Sequence, residues 1–250
     1  QNLYQHIKYT NSKMRCSGIL TLVRHGESRW NLTNRFTGWV DVPLSEKGIQ
    51  EAIRASKKLK NIKIDTCFTS KLQRAQETLL LILAKQNYTG IFVHKSKKRH
   101  AWGRHKLLKK EIPIFSHDAL NERYYGELQG MNKDKARKKY GKEKVHQWRR
   151  SYKIKPPGGE SLKDTYNRSV PYFRKHIMPH LNQGKNVLLV AHGNSLRAII
   201  KYLDNISDHE IPKLNLPTGQ LIVYTCRKGK LIKQKHIHTF DRPIKWKRLN

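Results

Sequence analysis

The sequence predicts an α/β fold, a three-layer sandwich around a mostly parallel central sheet. Three observations carry this expectation: short β-rich apolar runs recur along the chain, a polar or glycine-bearing turn follows them, and stretches of helical periodicity come next. In sheets of this kind ligands gather beyond the carboxyl ends of the strands.

The first run, Ile19-Leu-Thr-Leu-Val23, reads as a buried strand and ends at Arg24-His25-Gly26. After a loop bearing Gly38 and Pro43, Ser45-Glu46 precedes apolar positions at Ile49, Ala52, Ile53 and Leu59, the pattern of a capped amphipathic helix. Asp65 to Thr69 predicts a second strand. Ser70 with Gln73 has the spacing of a capping box, opening a helix through Leu79, Leu80, Ile82 and Leu83. Asn186 to Ala191 predicts another buried strand, leading into His192-Gly193-Asn194-Ser195 and a helix to about Leu203. Gln220 to Cys226 is a further strand. Both His-Gly turns therefore fall at strand ends.

The 250 residues, 37% of them hydrophobic, suffice for one sizeable core. The expected organisation is an N-terminal extension over residues 1–17, one catalytic domain over 18–240 with a basic insertion at about 85–110, and a basic tail over 241–250. The extension is basic and free of acidic residues, which suits an organelle-directing segment, a natural extension or an expression remnant. Lys85 to Lys110 holds nine Lys or Arg, three His and no acidic residue, and reads as an exposed insertion rather than core.

No apolar run approaches the roughly 18 residues of a membrane span, so no membrane association is expected. Cys16, Cys67 and Cys226 are too few and too far apart for a disulfide framework or a paired-cysteine zinc site, and the cytoplasm is the expected compartment. A formal charge of +34 attracts polyanions in a salt-dependent way. By itself it leaves open both a nucleic-acid binder and an enzyme for anionic substrates.

Moving a phosphoryl group requires a nucleophile, fixed cations for the equatorial oxygens, and a proton donor or acceptor. His25, at a strand end beside Arg24 and a glycine, is placed as such a nucleophile. A metal between His25 and His192 is the competing reading, but no cysteine pair or His-x-x-x-His spacing accompanies them, and no metal is expected. Arg149 and Arg150 project about 100° apart if helical, so both reach one anion only from a helix end or a loop at the pocket edge.

The segments Leu22-Val-Arg-His-Gly-Glu-Ser-Arg-Trp-Asn31 and Arg35-Phe-Thr-Gly-Trp-Val-Asp-Val-Pro-Leu-Ser-Glu-Lys-Gly48 resemble the signature of the cofactor-dependent phosphoglycerate mutases. The resemblance continues through Thr69 to Ala75, Leu120 to Gly126, Leu128 to Lys133, Trp148 to Arg150, Gly159 to Asp164 and Ala191 to Arg197. It implies the phosphoglycerate mutase-like fold of the histidine phosphatase superfamily. It also implies interconversion of 3-phosphoglycerate and 2-phosphoglycerate in glycolysis and gluconeogenesis, with 2,3-bisphosphoglycerate as priming phosphoryl donor and no metal.

Residue by residue, the resemblance makes His25 the phosphorylated histidine, surrounds the transferring phosphoryl with Arg24, Arg74 and His192, and makes Glu122 the general acid and base. It assigns Arg24, Ser28, Asn31, Thr37, Gly38, Arg74, Glu122, Arg123, Tyr125, Lys133, Arg149, Arg150, Gly193 and Asn194 to substrate binding. It further implies a homo-oligomer, dimer or tetramer, with nucleic acid bound only non-specifically.

Three departures stand out. Position 124 is Tyr where the family usually has His, the linker Lys153 to Pro157 is short, and Asp241 to Asn250 is a basic tail in place of a flexible cap. Because a phosphohistidine exposed to water hydrolyses, poorer closure favours phosphatase chemistry, and the same residues serve a phosphatase or a bisphosphoglycerate mutase.

Overall fold

The computed structural model describes residues 17–94, 107–227 and 230–233. The N-terminal extension up to residue 16, including Cys16, the middle of the basic insertion and the basic tail lie outside them. Among the described residues, seven strands form one sheet in the order β3-β4-β2-β5-β1-β6-β7. These are β1 (Ile19–Arg24), β2 (Thr66–Thr69), β3 (Thr89–Phe92), β4 (Glu111–Ser116), β5 (Val187–Ala191), β6 (Leu221–Arg227) and β7 (Lys230–Lys233). The first five run parallel to one another, and β6 and β7 close one edge antiparallel, as the predicted mostly parallel sheet requires.

Alternation along the central strand builds the two cores. From β5, Val187, Leu189 and Ala191 pack on one face with Phe173, Ile177, Leu196 and Ile200. Leu188 and Val190 pack on the other with Ala55, Leu59, Leu79 and Ile82. Helices α2 (Glu46–Leu59) and α3 (Gln73–Lys85) cover that second face. Helices α6 (Leu162–Tyr172), α7 (Met178–Asn182) and α8 (Gly193–Leu203) cover the first, α6 and α7 being joined by a π-turn over Phe173–Ile177. The short α1 (Arg29–Leu32) and the pair α4 (Lys133–Tyr140) and α5 (Lys142–Arg150) sit over the strand ends around a small cluster of Phe36, Leu128, Ala136, Val145 and Trp148.

The predicted elements are present, with two corrections. Ser70 does not cap α3. Its N-cap is Leu72, which makes no side-chain cap bond, while Ser70 Oγ lies 2.7 Å from His192 Nε2 and Gln73 turns to Glu77. The segment read as an exposed insertion also contains sheet, since Thr89–Phe92 is strand β3, paired in parallel with β4. A Cβ on Gly90 would stand 2.5 Å from Ile114 Cδ1, so a side chain there would have to displace that methyl group. Cys67 is a buried free thiol, its pKa pushed up by burial, whereas Cys226 is disulfide-bonded, which corrects the expectation of no disulfide. No described helix is long and apolar enough to cross a membrane.

Candidate active site

Register brings the two histidines together. In the parallel β1–β5 pair Arg24 stands opposite Ala191, so the next residues, His25 and His192, emerge side by side at the carboxyl edge, and the His25 N–H donates to the Ala191 carbonyl at 2.9 Å. Their rings lie 4.9 Å apart and both are buried. The His25 turn packs against α2 at a glycine pair: a Cβ on Gly26 would stand 2.3 Å from the Gly48 carbonyl, and one on Gly48 would stand 2.1 Å from the Glu27 carbonyl.

Hydrogen bonding sets the tautomer of His25. Its Nδ1 is 2.6 Å from the Gly26 carbonyl, which only accepts, so Nδ1 carries the proton and Nε2 keeps its lone pair. Burial first, then the charges of Arg74 and Arg24, hold this imidazole well below the ordinary histidine pKa. At pH 7 it is therefore neutral, with the Nε2 lone pair available. His192 is likewise held well below that value by burial and by Arg74, His25 and Arg24. Its Nε2 meets Ser70 Oγ, and its buried Nδ1 has no partner among the described residues.

His25 borders a cavity of about 130 Å³ that is also walled by Asn31, Thr37, Gly38, Tyr125, Gly193 and Asn194. Seven cations line it, Arg24, Arg35, Arg74, Lys133, Arg149, Arg150 and Arg197, against one carboxylate, Glu122. The fold supplies them from separate elements. Arg74 comes from the first turn of α3, buried, its Nη1 and Nη2 donating to the Val40 and Gly38 carbonyls at 3.0 and 2.7 Å. Arg149 and Arg150 end α5, as expected of two neighbouring arginines that reach one pocket. Lys133 opens α4, its pKa lowered by burial and by Arg149.

Glu122 is buried in a coil. Burial pushes its pKa up, but the Arg123 N–H bond, Arg24 and Asn194 outweigh that and hold it below the usual carboxylate value. Oε1 accepts from the Arg123 N–H at 2.8 Å, the Asn194 N–H at 3.0 Å and Asn194 Nδ2 at 2.9 Å. Asn194 lies in the first turn of α8, where free N–H groups favour an anion. Tyr125 Oη accepts from Arg123 Nη2 and Asn194 Nδ2.

Three residues expected at the site stand behind its wall. Ser28 is the N-cap of α1 and exchanges backbone and side-chain bonds with Asn31, so it aims Asn31 rather than facing the cavity. Arg123 is fully buried beneath Tyr125, donating to Tyr125 Oη and the Arg149 carbonyl. His192 contacts the His25 ring. Five lining residues escaped the reading: Arg35, Phe36, Arg197, Asn215 and Leu216. Arg35 and Arg197 were legible, since they bound two of the quoted motifs. Asn215 and Leu216 lie in a loop with no local signal, and only the fold brings Leu216 to accept a hydrogen bond from Arg24.

His25, Glu122 and His192 also bring three potential ligand atoms within 4.8 Å of one another, the spacing of a metal site. A dication there would face the neighbouring Arg24 and Arg74, which favour an anion.

A buried neutral histidine at a strand end, a second histidine beside it and a cage of arginines on a mostly parallel sheet are the arrangement expected of the histidine phosphatase superfamily. The chain belongs to that superfamily, its branch 1 family matching residues 20–99 and 95–237. Among its relatives, the 2,3-bisphosphoglycerate-dependent phosphoglycerate mutase of Methanosarcina acetivorans is 49% identical over 86% of this chain and 94% of its own length. That of Chlamydia muridarum is 49% identical over 86% and 96%. In fold the chain is similar to Bacillus stearothermophilus YhfR, with a TM-score of 0.71 at 23% identity over 90% of this chain and 100% of that one.

Proposed function

We infer that the chain interconverts 3-phosphoglycerate and 2-phosphoglycerate in glycolysis and gluconeogenesis through a phosphohistidine and a 2,3-bisphosphoglycerate intermediate. The observation that carries this is the cavity itself, in which the lone-pair Nε2 of His25 and the carboxylate of Glu122 share a space lined by seven cations. The 2,3-bisphosphoglycerate-dependent mutases at about half identity over most of the chain support the substrate and the priming donor.

In this reading His25 Nε2 carries the phosphoryl group. The substrate hydroxyl oxygen attacks phosphorus, the O–P bond forms as the N–P bond breaks, and Glu122 takes the hydroxyl proton. Arg24, Arg74 and a His192 Nδ1–H, left free when Ser70 donates to Nε2, hold the equatorial oxygens. Arg24 Nε, Thr37 Oγ1 and His192 Nδ1 are buried with no partner among the described residues, which suits a ligand bearing many acceptors. Asn31, Thr37, Gly38, Tyr125, Lys133, Arg149, Arg150, Gly193 and Asn194 hold the carboxylate and the resting phosphate, while Ser28 and Arg123 position Asn31 and Tyr125. The arginine cage supplies the charge a metal would otherwise bring, so the reaction runs without one. Self-association follows from the resemblance alone, whereas the cytoplasmic expectation rests on the cysteine pattern, against which the disulfide at Cys226 counts.

The test is an assay of 3-phosphoglycerate conversion with and without catalytic 2,3-bisphosphoglycerate, scoring 2-phosphoglycerate and inorganic phosphate together. Isomerisation stimulated by the bisphosphate, with little phosphate, is expected. Dominant phosphate release would place the chain among the phosphatases instead.

A further inference from the structure

Glu122 lies where the chain has no regular structure, between the 3-10 turns Asp118–Leu120 and Gly126–Leu128. Such a stretch has no ladder to pair its carbonyls or hold a side chain still. Here one guanidinium takes the ladder's place. Arg168 of α6 donates from Nη1 to the carbonyls of Asp118, Ala119 and Asn121 at 3.3, 3.0 and 3.0 Å, and from Nη2 to that of Glu122 at 2.9 Å.

The rest of the fork is held as firmly. Arg168 Nε and Nη2 meet the two carboxylate oxygens of Glu160 at 2.9 and 2.8 Å, and Glu160 Oε2 accepts the Tyr124 N–H at 2.9 Å. The Glu122 carbonyl also receives the indole N–H of Trp39 at 2.5 Å, and the Trp39 ring lies 5.6 Å from the Arg168 guanidinium. Segment 118–124 is thus pinned on both sides of Glu122 by one bidentate ion pair that does not itself line the cavity.

We infer that Arg168, locked by Glu160, is a positioning residue for the acid–base step: it holds the Glu122 backbone so that the carboxylate meets Asn194 and the reacting oxygen. The inference rests on the role proposed for Glu122. A planar fork is required, because the donors must span four carbonyls and a carboxylate at once, which a lysine ammonium cannot do. Arg168 also contributes positive charge near His192. Arg168→Lys keeps that charge and removes the fork, so it separates geometry from electrostatics.

The experiment is a double-mutant cycle on kcat and KM for 3-phosphoglycerate, with Arg168→Ala and Arg168→Lys made in the wild-type and Glu122→Gln backgrounds. Circular dichroism and Tm establish that each variant is folded. In the wild-type background both substitutions are expected to lower kcat about 10- to 100-fold, the scale of a misplaced catalytic group, with KM little changed because the anion-binding cations stay in place. In the Glu122→Gln background the further loss is expected to be under about 2-fold, since the effect passes through Glu122.

Equal losses in both backgrounds would show a general structural role and overturn the inference, as would wild-type kcat in either folded variant. If Arg168→Ala does not fold, Arg168→Lys carries the cycle alone. If the unsubstituted chain releases phosphate instead of isomerising, the mutase reading fails. The same cycle scored on phosphate release then decides the positioning role, because Glu122 would serve the leaving oxygen there too.

Discussion

The Nδ1 of His25 stands 2.6 Å from the carbonyl oxygen of its own neighbour, Gly26, so the residue that follows it leaves Nε2 as the nitrogen with the free lone pair. Gly26 performs this role because its backbone lies flush against Gly48, where a methyl group would meet a carbonyl oxygen at 2.3 Å. Gly26→Ala must therefore move backbone, not a flexible side chain. We expect kcat to fall by about 100-fold, and stability by about 1–3 kcal/mol. Steady-state kinetics and denaturant unfolding check both, and an unaltered kcat would mean that this carbonyl does not orient the ring.

Replacing Glu122 by Gln removes the proposed proton carrier while keeping the shape of the side chain. The expected loss in kcat is about 100- to 10,000-fold, with phosphoglycerate affinity retained, because the cations that bind it are elsewhere. Binding by calorimetry beside turnover separates the two. A large loss of affinity with kcat intact would make Glu122 a binding group instead.

Ser70→Ala strips the hydroxyl from His192 Nε2 and leaves both ring nitrogens of a buried histidine unpartnered. A cost of about 1–3 kcal/mol in stability is expected, together with slower turnover. A cap lost from α3 would lower stability alone, so unchanged kcat at reduced Tm would return Ser70 to a purely structural role.

Acid should destabilise the fold through histidines buried neutral. His180, packed edge-on to Phe68 and beside Phe115, is pushed down to about 4 by burial, with Lys185 and His176 adding to the shift. His25 and His192 are depressed in the same direction. Since the unfolded chain binds protons near the ordinary value of about 6.5 and the folded chain does not, stability is full above that pH and falls as pH drops toward the folded values. Tm measured from pH 7.5 to 5 should decline, and decline less in His180→Phe. A flat profile would show these rings protonated in the fold.

Much of the fold was legible because its strands are buried on both faces. Continuous apolar runs such as Val187-Leu-Leu-Val190 admit little but a central strand, and their ends place His25 and His192. Strand β3 was hidden because Thr89–Phe92 is a half-buried edge strand inside a lysine-rich stretch, where charge masks a short pattern. Ser70 misled for a similar reason: a Ser-x-x-Gln spacing is local, whereas the partner that claims the hydroxyl is 122 positions away. Arg168 gave no signal at all, since its acceptors are carbonyls, which every residue carries.

The most direct measurement follows the phosphoryl group itself. Protein treated with 2,3-bisphosphoglycerate bearing labelled phosphate is quenched, and the acid-labile label is mapped by peptide. The label should reside on the peptide containing His25, be absent from His25→Ala, and discharge onto added 3-phosphoglycerate. Isomerisation without such a label, or a label on another residue, would contradict the account.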